Sequence, residues 1–246
     1  MRNSQYLARM LLRWIGVTSS ISTLSFLAAG TTSIASLRNY LIVFCFCLFV
    51  MMVAIDPGLG EERSRNAGVG TKPSRLSAGM LFLATLALAA LDIGRIHWLN
   101  PVSAVRSSSL ILFSSSSALQ LWAMVANPFF SPEICLQAER GHKLIAHGPY
   151  RFLRHPGYLA MIVSALSSAL AIGSWLALVP AIAFGFTIVR RVRAEENFLQ
   201  KNLGGYADYM HQVGGGLFPR ISISRRPHPL VHSSAATPAT SCWSKP

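Results

Sequence analysis

The densest chemistry in this chain lies between Gly141 and Tyr158, in the stretch GHKLIAHGPYRFLRHPGY. It holds His142, Lys143, His147, Arg151, Arg154 and His155, punctuated by Gly141, Gly148, Gly157, Pro149 and Pro156. A second polar cluster, Arg190 to Glu196, contains Arg191 and Glu195, four residues apart and therefore on one face of a helix. One reading of these residues is a positively charged loop with a surface ion pair worth about 0.3–0.5 kcal/mol. The other is a cavity whose cations and carboxylate hold a zwitterionic, partly aromatic ligand, and the residues alone leave both readings open. Successive helical residues point about 100° apart. Glu195 shares its face with Arg191 and Leu199 and is expected to point toward the protein, with Glu196 turned to solvent or headgroups. Metal chemistry is not expected, because the spacing of His142, His147 and His155 matches no standard zinc pattern and no Cys or Asp accompanies them. His97 and His211 read as interfacial or surface residues, and the four cysteines include no CxxC.

Local punctuation says how the first cluster is held. Gly148-Pro149 reads as a turn, since glycine accepts positive φ and proline fixes φ near −65°. Pro156 pushes His155 out of the helical region while suiting the first turn of a helix that starts there. The stretch is thus a structured elbow that feeds directly into an apolar helix.

That helix is one of several. With 52% hydrophobic and 13% charged residues and a mean hydropathy of +0.42, the chain departs from soluble domains, where about 25% charged is usual. The fold class is all-α integral membrane, with about six transmembrane helices: 14–35, 40–55, 76–99, 110–126, 158–172 and 175–189. The first could alternatively be the hydrophobic part of a signal peptide; the Ser/Thr interruptions favour a helix. Asp92 and Arg95 are three apart near the end of the third span and are expected to pair. Gly173-Ser174 joins the last two spans, implying an antiparallel hairpin that returns the elbow and the Arg190–Glu196 cluster to one side. From Arg190 the chain reads as a separate interfacial amphipathic helix ended by Gly204-Gly205. Residues 221–246, rich in Ser, Pro and Ala, read as a disordered tail.

The net charge of +13 could suggest nucleic acid, but the basic residues are spread over loops and tail rather than along a groove, so no nucleic acid partner is expected. Of the 22 Lys and Arg, only Arg38, Arg95 and Arg106 fall on the outer side of a six-span arrangement, which puts the elbow and the C-terminus in the cytoplasm.

Taken together, His142-Lys-Leu-Ile, Gly148-Pro-Tyr150, Arg154-His-Pro-Gly-Tyr158, Glu195-Glu196 and Tyr206-x-x-Tyr209 resemble the isoprenylcysteine carboxyl methyltransferase family, to which membrane phospholipid N-methyltransferases are related. The resemblance covers roughly residues 127–220. It implies an S-adenosylmethionine site built from the two polar clusters. Cofactor contacts would come from His142, Lys143, Leu144, Ile145, Gly148 and Tyr150, then His155, Pro156, Gly157, Tyr158 and Glu195, with Gln137 the nearest match to an upstream glutamine. Arg191 matches a substrate-side arginine, and Arg154 or the elbow's amides would take the cofactor's carboxylate. The expected organisation is residues 1–126 as membrane helices, 127–220 as the catalytic region and 221–246 as tail. The expected activity is methyl transfer to a lipophilic acceptor, a prenylcysteine-type or isoprenoid carboxylate, entering from the surrounding lipid. Two other readings are a membrane NADPH-dependent sterol-type reductase and a non-catalytic membrane scaffold.

Overall fold

The computed structural model describes residues 4–54, 72–131, 134, 137 and 141–218. The sequence also suggests a Gly/Ser loop over 57–76; residues 57–71 of it, Cys135 and the tail from 221 lie outside the described residues, and the remainder, from Lys72, is already helical. Every regular element among the described residues is helical: α1 (Ser4–Ala29), α2 (Ala35–Ala54), α3 (Lys72–Leu91), α4 (Ser103–Ala126), α5 (Pro156–Ile172), α6 (Leu178–Asn202) and a short α7 (Tyr206–Gln212). Among the described residues, four helices are long and apolar enough to cross a membrane, over Leu7–Ala29, Ala35–Ala54, Leu76–Ile96 and Ser103–Ala126. The expectation of six is reduced on that criterion. Helix α5 has 17 residues, about 25 Å at 1.5 Å per residue, short of a hydrocarbon core of roughly 30 Å. The apolar part of α6 stops where Arg190 begins its charged half. Leu12, Ile42, Phe46, Ile111 and Phe186 all stand outward on these helices, Ile42 at 67% exposure. A water-soluble bundle would bury such residues, whereas hydrocarbon solvates them.

Helix α4 starts earlier than its apolar residues suggest, because its serines are satisfied within the helix. The hydroxyls of Ser108, Ser114, Ser115 and Ser116 donate to carbonyls of the preceding turn. Helix α6 runs unbroken from Leu178 to Asn202, so the expected separate interfacial helix is the charged half of one rod. No proline or glycine interrupts it near Arg190, and its charged half is held by tertiary contacts described below.

Close packing centres on α5. Its inward face carries Ala160, Ser164, Ala165, Ser168 and Ala169, all buried. Small residues let helix backbones approach, and hydroxyls join them across apolar surroundings. Ser164 and Ser116 share a hydrogen bond of 2.8 Å between α5 and α4, and the Tyr40 hydroxyl of α2 donates to Ser168 at 2.8 Å.

At the end of the bundle remote from the elbow, α3 closes with a π-helical turn, Asp92–Ile96. The expected Asp92–Arg95 pair does not form. A π turn adds a residue per turn and carries the two side chains apart. Asp92, fully buried, accepts from the Ser174 hydroxyl at 2.6 Å and from the Trp98 amide at 3.0 Å. Arg95 donates to the Ala28 and Leu27 carbonyls at 2.9 and 3.1 Å, capping the C-terminus of α1. Gly94 lets the α1 end come this near: a β-carbon there would meet the Ala29 backbone at 2.6 Å. Asp92 thereby clamps the Gly173–Ala177 connection and fixes the hairpin at its far end, leaving the near end to build the site.

Candidate active site

The elbow takes the expected shape. Gly148 has φ +60, which a side chain would resist, and opens a 3-10 turn over Gly148–Arg151 with Pro149 in its first positions. His155 stands outside the helix at φ −128, and Pro156 begins α5. Tyr150 points inward from the turn. Its hydroxyl donates to the Ala123 carbonyl at 3.3 Å, and its own carbonyl accepts from the Tyr209 hydroxyl at 2.6 Å. The elbow is thus pinned to the end of α4 on one side and to α7 on the other.

A strap after α7 closes over it. The amides of Arg154 and His155 donate to the carbonyls of Gly215 and Gly216 at 3.0 and 3.2 Å. The Arg154 guanidinium donates to Val213 and Met210 carbonyls and, through Nε and Nη2, to Glu196 Oε1 at 2.8 Å each. His155 Nε2 lies 3.2 Å from the same oxygen. Glu196 is therefore not turned to solvent or headgroups, as the helix phase alone suggested. The elbow and strap wrap around the face of α6 that lies outside the bundle and give this carboxylate partners. Its hydrogen bond with His155, reinforced by Arg154, outweighs partial burial and holds the carboxyl below its ordinary value of 4.5.

Glu195 does point inward. The Tyr158 hydroxyl donates to its Oε2 at 2.6 Å and accepts from Arg191 Nε at 2.8 Å. Arg191 also places its guanidinium 5.9 Å from the centre of the Tyr158 ring. The two residues four apart on α6 meet through one phenol on α5.

Between elbow, α6 and α7 lies a narrow, partly open cavity of about 80 Å³, smaller than the roughly 300–1,000 Å³ usual for small-molecule sites. Of the expected cofactor residues, His142, Lys143, Leu144 and Ile145 line one wall. Tyr150, His155, Gly157, Tyr158 and Glu195 line others. Gln137, Gly148, Pro156 and Arg191 are not among the lining residues. Gln137 is buried behind His142: its amide donates to His142 Nδ1 at 3.2 Å and its side chain to the Phe129 carbonyl at 3.1 Å. Gly148 and Pro156 shape the elbow. Arg154 borders the cavity with its donors engaged on Glu196 and the strap. His147 and Arg151 are exposed, and the latter lies over the Phe152 ring at 4.4 Å.

Sequence reasoning missed the segment after α4. Phe129, Phe130, Ser131 and Ile134 line the cavity, and Phe129 stacks on the His142 ring at 4.4 Å between centres. The aromatic pair after Asn127-Pro128 was the available signal. Leu199, Leu203, Tyr206 and Tyr209 complete the wall from α6 and α7; the Tyr206-x-x-Tyr209 repeat marked the latter two without giving them a place.

The profile of the isoprenylcysteine carboxyl methyltransferase (ICMT) family matches residues 109–201. The match begins inside α4, earlier than the motifs from 127 onward. A probable protein-S-isoprenylcysteine O-methyltransferase from Oryza sativa subsp. indica is 33% identical over 105 residues, 40% of this chain and 52% of that protein. Protein-S-isoprenylcysteine O-methyltransferase A from Arabidopsis thaliana is 28% identical over 127 residues, 49% of this chain and 60% of that protein. The nickel-cobalt-cadmium resistance protein NccN from Alcaligenes xylosoxydans xylosoxydans is 29% identical over 91 residues, 37% and 42% of the two chains. The aligned part spans about half the length of the curated relatives. The matched segment runs from α4 through the elbow to the end of α6, the very elements that carry most of the cavity, and over it the chain is similar to the ICMT family.

Proposed function

We propose that the protein is a membrane-embedded methyltransferase that uses S-adenosylmethionine and acts on a lipophilic acceptor of the prenylcysteine or isoprenoid carboxylate type. The observation that carries this reading is the Arg191–Tyr158–Glu195 chain beside the cavity. It sets one carboxylate on the cavity wall and one cation beside the cavity, joined through a single phenol. The donor set fits the cofactor. Glu195 matches an ammonium, Lys143, exposed on the cavity wall, matches a carboxylate, and the faces of Tyr150, Phe129 and His142 match an adenine ring. Arg154, engaged by Glu196 and the strap, acts on this reading as the brace that keeps the elbow against α6.

When bound, S-adenosylmethionine supplies a methyl group on a sulfonium centre. Tyr158 holds the Glu195 carboxylate in one rotamer by donating to it, and leaves the same oxygen as acceptor for Arg191. Arg191 anchors the acceptor's carboxylate. Such an acceptor is already an anion, so no residue need remove a proton, and none in the cavity is asked to. Alignment and exclusion of water from a neutralising charge pair supply the rate. The α5–α6 hairpin enters the membrane with the four longer helices, and the elbow lies on the cytoplasmic side, as the distribution of Lys and Arg supports.

The test is equilibrium binding of S-adenosylmethionine and of NADPH to the purified protein, followed by Glu195→Gln. Removing one partner of an enclosed charge pair costs about 2–5 kcal/mol, so Glu195→Gln weakens S-adenosylmethionine binding at least tenfold. Binding of NADPH instead, or no change on Glu195→Gln, sinks the proposal. Incubation with lipid extracts and detection of products heavier by one methylene identifies the acceptor.

A further inference from the structure

We propose that Tyr206 is a ligand-binding residue, whose phenol donates a hydrogen bond to an uncharged acceptor atom of a nucleoside bound in the cavity. The inference rests on the S-adenosylmethionine reading of that cavity and adds the α7 wall to the groups that meet the nucleoside whose adenine ring faces Tyr150, Phe129 and His142.

Three tyrosine hydroxyls around the cavity are used within the protein. Tyr150 donates to the Ala123 carbonyl, Tyr158 to Glu195 and Tyr209 to the Tyr150 carbonyl. Tyr206 is different. It is only 3% exposed, it lines the cavity, and its hydroxyl is the buried side-chain polar atom without a hydrogen-bond partner among the described residues. A buried hydroxyl left unsatisfied is costly, and native proteins rarely keep one without a reason. The ring needs no hydroxyl for its packing: it sits against Leu203 and 5.9 Å from the Tyr209 ring, contacts that a phenylalanine would keep.

The charge around the phenol narrows the partner. Burial, with the Glu196 and Glu195 carboxylates adding to it, pushes its ionisation well above the ordinary tyrosine value, so it stays a donor at neutral pH. The Arg154 cation opposes those carboxylates only in part. A ligand carboxylate at this position would join two existing ones. A ring nitrogen or a ribose oxygen brings no charge, and the aromatic pair Tyr206 and Tyr209 offers such a group a flat neighbour.

The experiment uses the full chain in detergent, with S-adenosylhomocysteine and 5′-methylthioadenosine as probes in calorimetric titrations and thermal unfolding without ligand as the structural readout. Tyr206→Phe is expected to weaken both probes about tenfold, the loss of one good hydrogen bond. The unliganded variant is expected to melt at the wild-type temperature or above it, because no protein partner loses a bond. A lowered melting point means the hydroxyl serves the fold and overturns the assignment. Equal binding of S-adenosylhomocysteine by both proteins overturns the donor role alone. A loss confined to S-adenosylhomocysteine overturns the nucleoside placement, and wild-type protein that binds neither probe overturns the reading on which the inference rests.

Discussion

Adjacent glutamates on α6 have different work in this structure, and exchanging each for glutamine separates them. Glu196 accepts twice from Arg154 and lies 3.2 Å from His155, with the Arg154 side chain only 10% exposed and its own 20% exposed. Breaking a buried ion pair from one side costs about 3–5 kcal/mol. Here water reaches the carboxylate, the amide oxygen of glutamine can still accept, and Arg154 keeps its bonds to Val213 and Met210. The cost of Glu196→Gln is therefore about 2 kcal/mol. For a chain of this size each kcal/mol moves the melting temperature by about 2–4 °C, so the fall is about 4–8 °C. Glu195→Gln keeps an acceptor for the Tyr158 hydroxyl and shifts melting by no more than about 2 °C. Thermal unfolding of both variants in the same detergent, followed by tryptophan fluorescence, gives the comparison. A Glu196→Gln protein that melts with the wild type, or a larger fall for Glu195→Gln, refutes the division of labour.

Acid should release the same latch. The Glu196 carboxyl is held below 4.5 in the folded chain, so its stabilisation is complete above the unfolded value and is lost as pH falls through the folded one. Melting temperature followed downward from neutral pH should drop less steeply below about pH 4.5 for Glu196→Gln than for the wild type. At the opposite end, Gly94→Ala drives a β-carbon into the Ala29 backbone. Backbone cannot move aside as a flexible side chain would, so we expect a loss of about 2–3 kcal/mol, seen as a lower melting temperature without a change in which ligands bind.

How much of this was legible depended on whether the cause was local. The turn at Gly148-Pro149 and the start of α5 at Pro156 follow from the φ preferences of two residue types, and both appear where expected. The inward face of Glu195 follows from helix phase and from its neighbour Leu199, which lines the same cavity. Glu196 was misplaced because its partners arrive from the elbow and from Val213–Gly216, segments that a helical wheel does not contain. The Asp92–Arg95 pair failed for a related reason. The π turn exists to satisfy the ends of α1 and of the hairpin connection, and those demands come from elsewhere in the chain.

The placement of Tyr158 links the packing of the bundle to the geometry of the site. Its hydroxyl is the common point of Arg191 and Glu195, so any movement of α5 against α6 lengthens one or both bonds at once. Hydrogen bonds in such a chain strengthen one another in a low-dielectric setting, which makes the arrangement stiff when complete and weak when one member shifts. The bundle supplies the stiffness. Ser164 on Ser116 and Tyr40 on Ser168 lock α5 to α4 and α2 through its small-residue face, while Asp92 on Ser174 fixes the far end of the hairpin. Short side chains set the approach of these helices, and a longer one at Ser164 would change it. The apolar helices ahead of residue 109, which lie outside the family match, thus contribute Tyr40 and Asp92 to holding the site's geometry.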